Sequence, residues 1–295
     1  MSELASVSSK SLLSSLVELC KLKITVAVTI TTVAGYALGA ARIDSAIILP
    51  TFGLFLVASG SAALNHWQER DTDARMNRTR ERPIPSGRIS ALQAACFAFF
   101  LVISGAMILY FQSGLTASLL SLLAMIWYNG FYTPLKKVSA YAVVPGGLIG
   151  SIPPMVGWVA AGRGVLDLEI LAFAFFIFLW QVPHFWLLSM FLGQDYEKGG
   201  FPCISNLFSE AQMRRIIYSW SVATVISPFL ILGATGEFSL VLSLIIAGLG
   251  FWLLQKHSVL VRPLAGVVSY KKAFMQINFY ALMIMVTLVA HRLMV

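Results

Sequence analysis

Nine stretches of this chain are apolar, almost free of charge and long enough to cross a bilayer as helices: 24–41, 46–64, 91–111, 115–132, 141–161, 168–192, 216–233, 238–254 and 273–290. A helical span needs roughly 17–25 such residues. No water-soluble core could take up this much apolar surface: 58% of the 295 residues are apolar, only 12% are charged, and the mean hydropathy is +0.81. An ordinary soluble domain runs nearer about 45–50% and 25%. The expectation is an all-α, polytopic membrane bundle of about nine helices forming one domain over 1–295.

The net charge of +8 is distributed unevenly. With the N-terminus on the cytoplasmic side, nine spans put 18 of the 21 basic residues on one face, leaving only Arg42, Arg163 and Arg292 on the other. Lys and Arg favour cytoplasmic loops, so this split supports N-terminus in and C-terminus out. The first 23 residues lack the order of a cleaved signal peptide, and Leu12, Leu13, Leu16, Val17 and Cys20 make one apolar helical face. Residues 1–23 therefore read as an interfacial segment. Cys20, Cys96 and Cys203 form no metal-binding or redox spacing.

The loops predicted on the outer face are short: 42–45, 112–114, 162–167 and 234–237. Two inner loops, 65–90 and 193–215, are long and charged, which is where function usually resides. They follow the second and the sixth span, which suggests two four-helix halves in parallel orientation plus a ninth helix.

Beyond the second span, Asn65, Glu69 and Asp73 are spaced i, i+4, i+8. On a continuing helix they stack on one face and offer three oxygen donors to a hard cation such as Mg2+, which shares its coordination shell with substrate phosphates. Six arginines lie between Arg70 and Arg88. Acids followed by arginines suit a cation bridged to a polyanion, with arginine forks holding the oxygens that the metal leaves free. The alternative is that the arginines only set topology.

These residues, with Met76, Thr79, Pro83 and Gly87, resemble the first signature of the UbiA superfamily of intramembrane prenyltransferases, in particular its protohaem IX farnesyltransferase branch. That branch reads NxxxExxxDxxMxRTxxRP, and His66 stands where other branches carry a second acid. Trp180-Gln181-Val182-Pro183-His184-Phe185 and Asp195-Tyr196-Glu197-Lys198-Gly199 resemble a second signature, and Tyr132-Thr133-Pro134-Leu135-Lys136-Lys137 a third. The pattern is broken at Ser139, Ala140, Ala142 and Cys203, and Ala142 lacks the polar side chain that the branch carries there.

The resemblance implies transfer of a farnesyl group from farnesyl diphosphate to a vinyl group of protohaem IX, with addition of water. It implies Mg2+ held by Asn65, Glu69, Asp73 and Asp195, and catalytic roles for Asp73, Asp195 and Lys137. Arg78, Arg82, Lys136 and Lys137 would bind diphosphate, and Gln181, His184, Tyr132 and Trp180 the acceptor. Asp195 would face Asp73 across the mouth, its bland alternative being a surface acid. An intramembrane histidine is costly without a partner, so His184 either touches the acceptor or bonds a carbonyl freed by Pro183. The cation formed during transfer would lie against Tyr128, Tyr132, Trp180 or Trp186, unless these are packing residues. Expected surroundings are the inner membrane and a haem A synthase or terminal-oxidase assembly, with no nucleic acid. Two rivals stay open: a quinone precursor or other lipid as acceptor, and a haem carrier or transporter. Ionisable groups at helix ends rather than mid-span favour an enzyme over a transporter.

Overall fold

The computed structural model describes residues 11–202, 204, 207–236, 239–262 and 268–295, with the side chains of 193–198 excepted. The described residues are helical, without a strand. A short helix, α1 (Leu12–Leu19), precedes the first span, α2 (Leu22–Ala40). The second span, α3 (Ile48–Asp73), continues past the apolar stretch and ends at Asp73, so Asn65, Glu69 and Asp73 are all helical.

α4 (Ala91–Met125) contains the third span and the start of the fourth. Its only non-helical residue is Gly114, at φ 82 and ψ 178. That conformation belongs essentially to glycine. Ser118 Oγ donates to Ala106 O at 2.9 Å, although twelve residues of straight helix would separate them by about 18 Å. One glycine thus reverses the chain where the sequence suggested a three-residue loop, and eight long apolar helices make nine crossings among the described residues.

The fourth span finishes in a π-helical stretch, Ile126–Tyr132, and a last turn, α5 (Thr133–Leu135). The fifth is α6 (Val143–Gly146) with α7 (Leu148–Ala160), and the sixth is α8 (Leu168–Lys198). α9 (Glu210–Ile226) and α10 (Pro228–Thr235) form the seventh, α11 (Leu240–His257) the eighth and α12 (Tyr270–Met294) the ninth.

Two cores hold the bundle. One joins α3, α4 and α7 through Leu54, Val57, Leu109, Ala117, Ile152 and Val156. The larger runs from α8 to α12 around Phe173, Phe176, Ile217, Ile246 and Tyr280, and also takes Trp158 of α7. The fifth span therefore serves both halves. It approaches α2 at backbone distance, since a Cβ on Gly157 would lie 1.9 Å from Thr32 O. Small residues permit such contacts where lipid supplies no hydrophobic drive for association.

α1 lies over the end of the bundle where the site forms. Leu19 is buried with Ala63, Ile89, Ala94 and Ala98, while Leu12, Leu13 and Val17 are exposed. Both guanidinium ends of Arg88 bond Glu18 Oε2, at 3.0 and 2.9 Å, and its Nη1 donates to Ser15 Oγ at 3.1 Å. This arginine, read from the sequence as part of a polyanion block, anchors α1 instead.

Candidate active site

The last two turns of α3 carry Asn65, Glu69 and Asp73 into a buried setting where all three are at most 4% exposed. Each meets a cation from a different part of the chain. Lys21 Nζ donates to Asn65 Oδ1 at 2.7 Å. Lys136, just beyond the fourth span, forms an ion pair with Glu69 Oε1. Arg82 Nη1 donates to both Asp73 oxygens, at 2.8 and 2.6 Å. Buried charges are retained only when paired in this way. Three oxygen donors thus alternate with three cations at the mouth of the bundle.

Local structure explains the aim of each cation. Lys21 adopts the left-handed conformation (φ 49) between α1 and α2, unusual for a side chain of this kind, and so turns its ammonium toward α3. Burial, with the Arg82 guanidinium nearby, pushes that ammonium down to about 7, against the pull of Glu69. After Asp73 the chain is a run of turns rather than helix, and Thr79 Oγ1 donates to Asp73 O at 2.9 Å. These turns return Arg82 to Asp73, while Arg78 lies exposed on the same segment. Helical i, i+4 spacing therefore does not relate the two arginines.

The fourth span fixes the other side. Asn65 Nδ2 donates to Thr133 Oγ1 at 3.1 Å. Asn129 Nδ2 donates to Gln68 Oε1 (2.9 Å) and to Ser61 O (3.0 Å), and Ser61 Oγ donates back to Asn129 Oδ1 at 2.6 Å. Lys137 Nζ donates to Gln68 O at 3.0 Å. Of the adjacent lysines, only Lys136 enters the charge cluster, and it also lies over the rings of Tyr132 and Phe201, 5.6 and 5.4 Å from their centroids. Gly199 packs beside Met76, for a Cβ there would be 3.0 Å from its Sδ. The two long loops therefore meet at one end of the bundle.

The side chain of Asp195 lies outside the described residues, as does the whole of Cys203. No cluster of three His, Cys, Asp or Glu groups suited to a metal occurs among the described residues. Asn65, Glu69 and Asp73 nevertheless fit magnesium: two carboxylates and an amide oxygen on one face, in surroundings that already stabilise carboxylate charge.

His184, Trp180 and Gln181 lie elsewhere. His184 Nδ1 is 2.6 Å from Asn278 Oδ1 on α12, and its ring packs on Phe274 (4.7 Å) and Trp180 (5.0 Å). Gln181 packs against Gly150 of α7. A cavity at the mouth is lined instead by Tyr132, Lys136, Ala142, Phe185, Trp186 and Ser189.

Residues 28–290 match the UbiA prenyltransferase family. The chain belongs to that family. It is 36% identical over 256 residues to the protoheme IX farnesyltransferase of Flavobacterium psychrophilum, covering 83% of each chain. In fold it is similar to a digeranylgeranylglyceryl phosphate synthase, with a TM-score of 0.79 at 16% identity over 96% of this chain and 99% of that one. A UbiA homolog from Archaeoglobus fulgidus bound to GPP and Mg2+ gives 0.65 at 12% identity, covering 96% and 100%.

Two parts of this UbiA site escape sequence reading. Lys21 counts only as a topology signal until the fold brings it 44 residues along the chain to Asn65. His66 is 2% exposed, and neither ring nitrogen has a hydrogen-bond partner among the described residues. Nothing in its spacing marks that.

Proposed function

We propose that this chain transfers the farnesyl group of farnesyl diphosphate to a vinyl carbon of protohaem IX, with water adding to the neighbouring carbon, giving haem O and diphosphate. The buried alternation of Asn65, Glu69 and Asp73 with Lys21, Lys136 and Arg82 carries the prenyl-diphosphate half of this reading. The identity with a relative named protoheme IX farnesyltransferase supports the acceptor half.

Asn65, Glu69 and Asp73, joined by Asp195, are the residues to hold Mg2+, which supplies charge to balance the departing diphosphate. Lys136 and Arg82 add fixed positive charge at the same place, with Arg78 and Lys137 on the rim. Preorganised charge in a site sheltered from water is the largest single source of rate in reactions that develop anionic leaving groups. The allylic carbon left behind is electron-poor, and the faces of Tyr132 and Trp186, which border the mouth cavity, shield and stabilise it. The charge bias of the loops supports a mouth on the cytoplasmic side of the inner membrane. Haem O would pass from there to a haem A synthase or terminal-oxidase assembly.

The test is turnover by detergent-purified protein given farnesyl diphosphate, Mg2+ and protohaem, with pigments separated and weighed by mass spectrometry. A farnesylated, hydrated haem is expected. Prenylation of a quinone precursor with haem left unmodified would replace the acceptor, and haem binding without any diphosphate release would point to a carrier.

A further inference from the structure

The last turns of α3 hold one polar side chain that the reaction as derived above does not use. Asn65, Gln68, Glu69 and Asp73 each have a hydrogen bond or ion pair. His66 lies in the same run and is 2% exposed, yet neither Nδ1 nor Nε2 meets a hydrogen-bond partner among the described residues. A buried polar group in that condition costs stability, and this ring carries two. Packing does not account for the residue, because an apolar side chain of similar size fills the same space without that cost.

Its surroundings suit an anion. His66, Glu69 and Asp73 fall at i, i+3 and i+7, on one side of α3. The charges that act on the ring are the Lys21 ammonium and the Arg82 guanidinium. Lys21 is tied to Asn65, the residue next to His66, and Arg82 to Asp73, about 10 Å along the helix from His66. An anion that engages both cations therefore spans the face on which the imidazole lies. Imidazole carries at least one N–H in either protonation state, so it can donate to that anion.

Depth assigns the oxygen. α3 ends at Asp73 in the mouth, so His66 lies two turns nearer the bilayer centre. An apolar chain leaves the charge cluster in the direction of the bilayer. The deepest oxygen of a bound prenyl diphosphate is thus the one bonded to carbon.

We propose that His66 is a further catalytic residue, donating a hydrogen bond to the diphosphate oxygen that carries the prenyl group. This rests on the prenyl-diphosphate reading above. When the carbon–oxygen bond breaks, both of its electrons stay with that oxygen, and the allylic carbon is left positive. Negative charge grows where the N–H points, so the hydrogen bond strengthens as the reaction proceeds. The imidazole keeps its proton throughout. Arg82 and Lys136, held on Asp73 and Glu69, serve the outer oxygens, and His66 serves the inner one. A contact that matures only as the bond breaks raises turnover rather than affinity.

The experiment uses purified full-length protein with Mg2+ and takes three readings. They are the melting temperature without substrate, the affinity for unreactive farnesyl thiolodiphosphate, and diphosphate release from farnesyl diphosphate in the presence of acceptor. Release is expressed per analogue-binding site, so the folded fraction cancels. His66→Leu should lower kcat about 100-fold, leave analogue affinity within about threefold, and melt no lower than wild type. His66→Met, whose flexible chain adapts to the space, should give the same pattern and serves should the leucine variant not fold. His66→Gln keeps an N–H and should recover about 10-fold of the lost turnover. Turnover within a few-fold of wild type in the leucine or methionine variant overturns the proposal, and so does a glutamine no better than leucine. A lower melting temperature in both apolar variants, restored by glutamine with turnover per site unchanged, makes His66 a structural residue. Failure of wild type to bind the analogue overturns the prenyl-diphosphate reading and this inference together. A different acceptor leaves the test intact, since only diphosphate release is counted.

Discussion

Two polar clusters interrupt the apolar spans, and the fold treats them in opposite ways. At the end of α3, three oxygen donors meet cations from the α1–α2 turn, the fourth-span terminus and the arginine loop. In the middle of α8, His184 meets a single amide on α12 and is otherwise wrapped in rings. The first cluster needs four separate segments to come together and adjoins a cavity. The second needs only two neighbouring helices and adjoins none of the cavities described. A polar residue in an apolar span is therefore ambiguous, and what resolves it is the helix face it occupies.

The sharpest way to break this contrast is Asp73→Asn. The carboxylate accepts two bonds from Arg82, and the neutral amide removes both that charge partner and the proposed Mg2+ ligand. Turnover should fall at least about 100-fold, while the protein remains folded in the membrane. Activity within a few-fold of wild type, or undiminished in excess chelator, would dissolve the distinction between the two clusters.

Arg82→Lys is the next largest. Arg82 meets both Asp73 oxygens through Nη1 alone, and a lysine keeps the charge but lacks the rest of the planar fork that a diphosphate can engage. Losing a charge-assisted bond of about 1.5–3 kcal/mol should weaken prenyl diphosphate binding roughly 10-fold or more. The measurement is the KM for each substrate, and an effect confined to the acceptor would place Arg82 on the wrong side of the site.

Lys21→Met probes the residue that only the fold reveals. Its bond to Asn65 is one of three cation contacts, so about a fivefold loss in prenyl diphosphate affinity is expected, equivalent to about 1 kcal/mol. No change in affinity would reduce Lys21 to a topology signal.

These three residues differ in how far the sequence exposes them. Asn65, Glu69 and Asp73 are legible because a single helix orders them, and helical periodicity is a local property. The apolar spans are legible for the same reason. The reversal at 112–114 was legible too, but not its form: one residue with a glycine-only conformation, Gly114, replaces the three-residue loop. The phase of the fourth span was concealed too, since one π-helical stretch changes which residues share a face. Arg82 and Arg88 look alike in the sequence, yet one reaches Asp73 and the other Glu18. Contacts made through irregular turns depend on backbone angles that spacing does not encode.

The smallest expected effect belongs to His184→Ala and tests the other half of the comparison. The sequence reading assigned His184 to the acceptor because an unpartnered histidine is costly inside a membrane. Here it has a partner, Asn278, at 2.6 Å, and three aromatic neighbours, Trp180, Phe185 and Phe274. Removing the imidazole leaves the Asn278 amide without that bond and opens a space between α8 and α12. A cost of about 1–2 kcal/mol is expected, which lowers the melting temperature by roughly 2–4 °C. Haem and prenyl diphosphate affinities should change together, by no more than the loss of folded protein explains. Asn278→Ala should produce the same shift, and the double variant should add little to either, because the two residues share one interaction. A stable His184→Ala protein with weakened haem affinity and intact prenyl diphosphate affinity would return this histidine to the acceptor, and the division between the two clusters would then fail.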